Sequence, residues 1–119
     1  QLVKERGHRL IAITSFTQTA AVDSRHPSGS KLIDHADVSL DNGAPYGDAV
    51  LPLPGGGTAC AVSSLTGALL AQLVGAEVVR RLIEAGEAPP IYLSANVPGG
   101  YEHNSILEDR YAGRIRRTA

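Results

Sequence analysis

The sequence contains no methionine, no tryptophan, one phenylalanine and one cysteine in 119 residues. Each scarcity removes an explanation. A single thiol, Cys60, cannot build an internal disulfide framework, and this usage fits a reducing, cytoplasmic setting. Cys60 stands among small apolar residues with no histidine beside it, so a buried small hydrophobe is expected rather than a nucleophile. The missing methionine, in a chain that starts at Gln1, makes a trimmed product or a segment of something larger the expectation. Long runs of one charge sign are missing as well. The formal net charge is −1, and the only basic cluster is "RIRR", Arg114 to Arg117, read as a solvated helix end. Neither nucleic acid nor an anionic membrane is indicated as a partner.

A membrane-spanning run is also wanting. No charge lies between Ala49 and Ala76, but Pro52, Pro54 and the triplet Gly55 to Gly57 break that stretch. A span needs about 20 continuous apolar residues. The N-terminal "QLVKERGHR" is already charged, so it does not read as a signal peptide. The histidines lack the spacing of zinc sites, and Cys60 stands alone, so no metal is expected. "GGGT" lacks the lysine of a phosphate-cradling loop and reads as a hinge or loop, and no cofactor is expected.

What is present is a globular composition, 43% hydrophobic, in a chain long enough for one domain or part of one. "QLVKERG" reads as the last turns of a helix stopped by Gly7. The uninterrupted Leu10 to Ile13 that follows is the pattern of a strand buried on both faces. Helix, glycine and buried strand make the rhythm of a parallel α/β sheet. Ser24 or His26 is placed to start a short helix with Pro27 in its first turn, leading into a second strand where Val38 and Leu40 alternate. "DNGAPYGD", Asp41 to Asp48, is turn chemistry, and "AVLPL" is too broken by proline for a central strand. Ser63 or Ser64 can cap a long helix carrying Leu65, Leu69, Leu73, Ala76, Val79 and Ile83 at helical spacing and ending at Gly86. On it, Gly67, Ala71 and Gly75 form a face of small residues. A third strand is expected over Ile91 to Val97, and a polar helix over Ser105 to Ile115.

The blocks "RHPSGSKL", "ADVSLDNGAPYGD", "SANVPGGYEHN" and "RYAGRI" occur in that order and cover nearly the whole chain. In this the chain resembles the second half of a SIS (sugar isomerase) domain, and more narrowly a bacterial group of SIS-domain proteins carrying SANVxGGxEHN. The resemblance implies a doubly wound parallel α/β sheet, a homodimer, and a phosphorylated sugar bound at strand C-terminal ends. It also implies that residues 1–119 are the C-terminal half of the domain. The Ser/Gly-rich loop that holds the phosphate in such domains has no counterpart here.

Chemistry-bearing residues gather at the ends of the expected strands. Thr14, Ser15 and Thr17 follow the first, where open α/β sheets place ligands, although hydroxyls there also satisfy turns. Asp41 and Asn42 end the second and suit either sugar hydroxyls or a tight turn. His26, beside Arg25, suits an anion or a solvated cap. Asn96 ends the third, and Gly99 and Gly100 permit positive-φ turns and close approach of a ligand. Glu102 and His103 are an adjacent acid and imidazole, fit for the proton shuttling of aldose–ketose isomerisation. On a helix neighbours diverge by about 100°, so the pair would share a substrate only from a loop or across a dimer. A helix-terminal turn accounts for them equally well. The functions open at this point are a sugar-phosphate isomerase, a non-catalytic sugar-phosphate sensor, and a structural half that binds little alone.

Overall fold

The computed structural model describes residues 2–114. Its elements run α1 (Leu2–Glu5), β1 (Ile11–Thr14), α2 (Phe16–Ala21), α3 (Leu32–His35), β2 (Val38–Asp41), β3 (Ala49–Pro52), β4 (Thr58–Ala61), α4 (Ser63–Glu84) and α5 (Gly100–Arg110). The chain is mixed α/β with one parallel and one antiparallel strand pair. It divides into two compact units, one up to Glu77 and one from Val78 onward.

In the first unit, β1 and β2 pair in parallel with Ile11 opposite Val38 and Thr14 opposite Asp41. The helix stop before them is a glycine motif, as the sequence suggested. Gly7 adopts φ 74°, its N–H donates to Lys4, and the N–H of His8 donates to Val3. Asp37 then ties α1 to the sheet. Its carboxylate accepts from Lys4 Nζ at 2.7 Å, from the backbone N–H of Leu10 at 2.7 Å and from Arg9 at 3.2 Å. These donors, Lys4 foremost, hold its carboxyl far below the usual carboxylate range.

The strand expected to be buried on both faces is not. Ala12 is buried, but Ile11 is 55% exposed and Val38 is 49% exposed. A parallel strand is enclosed only when neighbours cover both its sides and both its faces, and among the described residues β1 has β2 alone. The long helix α4 follows the same pattern: it has no buried residue, and Leu65, Leu69 and Leu73 are all more than half exposed. Its small-residue face meets the sheet at one point, where a side chain added at Gly67 would touch Ile13, whereas Gly75 faces open space. Gly86 ends α4 as expected, with φ 76° and the paired bonds Gly86 to Ile83 and Glu87 to Leu82.

The proline-broken "AVLPL" is, as expected, no central strand: β3 and β4 form a separate antiparallel hairpin around Pro54 to Gly57, with Pro52 opposite Thr58. A two-stranded ribbon is all edge, and edges tolerate proline. Cys60, on that ribbon, is therefore exposed rather than buried. The helix placed at Ser24 or His26 is instead a loop, and α3 begins only at Leu32.

A further correction lies in the second unit, where Ile91 to Val97 forms no strand. A ladder needs a neighbour, and none is present among the described residues of that unit. The side-chain amide of Asn104 on α5 takes the neighbour's place, accepting from Leu93 N–H at 2.9 Å and donating to Leu93 C=O at 2.8 Å. α5 starts five residues before the expected Ser105, and the expected end at Ile115 lies outside the described residues, as does most of the "RIRR" cluster.

Candidate functional site: a cavity at the parallel strand ends

At the C-terminal ends of β1 and β2 lies a cavity of about 650 Å³. That volume is within the range of small-molecule pockets. Thr14 comes to it from the end of β1, Ser15 from the cap of α2, Gln18 from α2, Asn42 and Ala44 from the loop after β2, and Ser63, Ser64 and Gly67 from the start of α4. Parallel pairing sends both chains out of the sheet at the same end, which is why residues 28 positions apart meet there.

The loop after β2 is stitched to α2 side chain by side chain. Ser15, almost fully buried, caps α2 by accepting from Gln18 N–H at 3.0 Å and donates its own hydrogen to Ala44 C=O at 2.5 Å. Gln18 accepts from Gly47 N–H at 2.9 Å. Asp41 accepts from Phe16 N–H and Gly43 N–H, both at 3.0 Å, and these bonds hold its carboxyl below the usual range. Asn42 accepts from Ala44 N–H at 3.0 Å in an Asx turn. Its side-chain nitrogen has no partner among the described residues.

Asp48 closes the far wall. It sits at φ 67°, in the left-handed region that aspartate enters more readily than most residues other than glycine. Its carboxylate accepts from Ser63 Oγ and Ser63 N–H, each at 2.7 Å, and from Val62 N–H at 3.2 Å. Those bonds lower its pKa, the Ser63 hydroxyl most. Asp48 thus caps α4 from 15 residues away, in place of the serine cap suggested by sequence. It is the one charged side chain lining the cavity.

The structure therefore brings Thr14, Ser15 and Asn42 to one cavity and places Asp41 behind them as a brace. Thr17, exposed on α2, does not line it, and His26 lines a separate groove in the same unit. Sequence reasoning passed over Gln18, discoverable as the residue three after a cap serine, and marked Ser64 only as a candidate helix cap.

In the second unit, Asn96, Gly99, Gly100, Glu102 and His103 lie along one turn and the start of α5. Gly99 has φ 78° and precedes the helix, as its sequence suggested. Gly100 is buried, and the room left by its missing side chain is taken by the Ser94 carbonyl rather than a ligand. His103 Nε2 donates to the Ile91 carbonyl at 3.0 Å. Glu102 is exposed in the first turn, where a carboxylate favours the helix dipole. Among the described residues no group of three His, Cys, Asp or Glu could hold a metal, and no helix is long and apolar enough to cross a membrane.

No family model matches the chain. It is similar to the UPF0309 protein lmo0025 of Listeria monocytogenes, 44% identical over 114 residues, covering 95% of this chain and 49% of that protein. It is also similar to the UPF0309 protein lin2794 of Listeria innocua, 40% identical over 116 residues, covering 97% of this chain and 47% of that one. The chain spans about half the length of these curated relatives.

Proposed function

We propose that this chain is the second half of a SIS-type domain, completing a doubly wound parallel sheet, and that its strand-end cavity holds the carbohydrate part of a phosphorylated sugar. The supporting observation is the cavity's lining: uncharged hydroxyl and amide groups from β1, α2, the loop after β2 and α4, with Asp48 as the single charge. Such groups exchange hydrogen bonds with sugar hydroxyls. They do not suit a phosphate, because Asp48 would repel it and already takes the Ser63 N–H at the helix end. The phosphate is held elsewhere in the whole protein, in line with the Ser/Gly-rich loop that the resemblance calls for and this chain lacks.

Within this reading the protein is an aldose–ketose isomerase with Glu102 or His103 moving the proton, acting as a homodimer in the cytoplasm. A second reading, a non-catalytic sensor, is favoured by one observation: His103 and Asn104 already hold the backbone of Ile91 and Leu93. Amide-resolved NMR of the 119-residue chain with glucose 6-phosphate and with glucose tests the cavity. Weak binding, with Kd on the order of 1 mM, should perturb Thr14, Asn42 and Ser64 alike with either sugar. Undisturbed resonances at all three would remove the proposal. Turnover of a hexose or amino-sugar phosphate by the whole protein, abolished by Glu102→Gln or His103→Asn, selects the isomerase. Binding without turnover selects the sensor.

A further inference from the structure

The loop between α2 and α3 carries four side chains in one unbroken hydrogen-bonded line. His26 Nδ1 lies 2.8 Å from Ser28 Oγ, Ser28 Oγ lies 2.7 Å from Ser30 Oγ, and Ser30 Oγ lies 2.8 Å from His35 Nε2. One backbone contact gives the line a direction. The N–H of Ser28 donates to His26 Nδ1 at 3.2 Å, which selects the tautomer with that nitrogen bare. Ser28 Oγ must then donate to it as well. Having given its hydrogen, Ser28 accepts from Ser30, and Ser30 accepts from His35 Nε2–H. A further amide, Ser30 N–H, donates to Ser28 Oγ at 3.3 Å and holds that hydroxyl in place.

The loop that carries the line is closed on itself. Ser24 Oγ donates to Ser30 C=O at 2.7 Å, His26 N–H donates to Ser24 Oγ at 3.1 Å, and Gly29 N–H donates to His26 C=O at 2.9 Å. All four members of the line border a groove of about 480 Å³, separate from the strand-end cavity. Two other charged groups are near. Lys31 lines the groove and gives a hydrogen to Thr19 C=O at 2.6 Å, while Asp34 accepts from Lys31 N–H at 2.7 Å. His26 Nε2, which carries the proton in this tautomer, has no partner among the described residues.

We propose that His26, Ser28, Ser30 and His35 form a proton relay whose outer end, His26 Nε2, delivers a proton to an oxyanion seated in the groove. The step starts from His35 protonated on both nitrogens. The Nε2 proton of His26 passes to the ligand oxygen, forming an O–H bond. His26 Nδ1 takes the Ser28 hydroxyl proton, Ser28 takes that of Ser30, and Ser30 takes the Nε2 proton of His35. One proton has moved from His35 to the ligand, and both imidazoles end neutral. Solvent restores the proton on His35. The relay does not depend on the sugar-phosphate reading, which is tested at Thr14, Asn42 and Ser64.

Ring-nitrogen NMR of the 119-residue chain across the histidine titration range tests it, with inorganic phosphate as the oxyanion probe. The parent chain should show His26 with Nδ1 bare and Nε2 protonated, and His26 nitrogens that respond when His35 titrates. Phosphate should move His26 Nε2 and His35 together. Ser28→Ala and Ser30→Ala should abolish that cross-response with the amide spectrum of the fold retained, and Ser28→Thr should restore it. A parent His26 protonated on Nδ1, or His26 and His35 curves identical in parent and Ser30→Ala, would overturn the relay. No phosphate response at His26 would overturn delivery.

Discussion

The loop after β2 and the segment before α5 are both irregular backbone that side chains hold in place, yet they are held differently. The first is pinned from several elements: Ser15 and Gln18 on α2, Asp41 at the end of β2 and Asn42 within the turn each take a different bond. The second is pinned from α5, by His103 on Ile91 and Asn104 on Leu93, with Gly100 fitted under Ser94. Distributed support leaves a cavity between the supporting elements. Support from one helix presses the segment onto that helix, and the space beside Gly100 is taken by the Ser94 carbonyl. Polar residues at strand ends therefore deserve two readings, and the count of supporting elements helps to choose between them.

The contrast can be broken most sharply at Gly100. Gly100→Ala places a methyl group against the Ser94 carbonyl, and overpacking of this kind costs about 1–3 kcal/mol. The expected result is a large loss of hydrogen-exchange protection around Leu93 with the strand-end cavity unchanged. Equal loss at Ala12 would show that the segment is not independently held.

Ser15→Ala is expected to come next. It removes a helix cap, about 1 kcal/mol, and leaves the Ala44 carbonyl without its donor, so the melting temperature should fall and the loop should loosen. An unchanged melting temperature would mean that Gln18 and Asp41 suffice. Asn104→Ala strands one N–H and one C=O at Leu93 that water can still reach, so a loss of about 1 kcal/mol or less is expected, seen in exchange at Leu93 alone.

Acid offers a comparison in a single titration. Asp37, Asp41 and Asp48 all lie in the first unit and all have pKa values lowered by donors. A depressed native pKa contributes stability that is complete above the unfolded value of about 3.9 and is lost as pH falls toward the native value. The first unit should therefore lose protection below about pH 4, and Asp48→Asn should flatten part of that loss. A second unit that loosens first would contradict the assignment. The smallest effect is expected at Glu102→Gln: stability within about 0.5 kcal/mol of the parent, as for exposed sites generally.

Much of the first unit could be read from sequence because its signals are local. Gly7 stops a helix by adopting a conformation few other residues accept, and "IAIT" with "VSLD" announces a parallel pair by composition. Pro52 excludes a central strand, which holds, but no local pattern announces the edge hairpin that forms instead. Ile91 to Val97 has the composition of a strand and lacks only a neighbour, which is a property of the rest of the fold. In the site, Ser15 and Asn42 were legible as residues that end strands. Their commitment to Ala44 and the role of Asp48 as a cap for α4 depend on partners 2 to 29 positions away and on the path of the hairpin between them.

The exposed thiol of Cys60 gives this molecule a ready instrument. It is the sole cysteine in the sequence, and it projects from a ribbon whose two strands lead from Asp48 to Ser63, the two residues that close the cavity wall. A maleimide fluorophore or nitroxide placed there needs no engineered substitution. It would sit on the lever that joins the loop to the long helix, where occupancy of the cavity can be watched without touching any group that lines it.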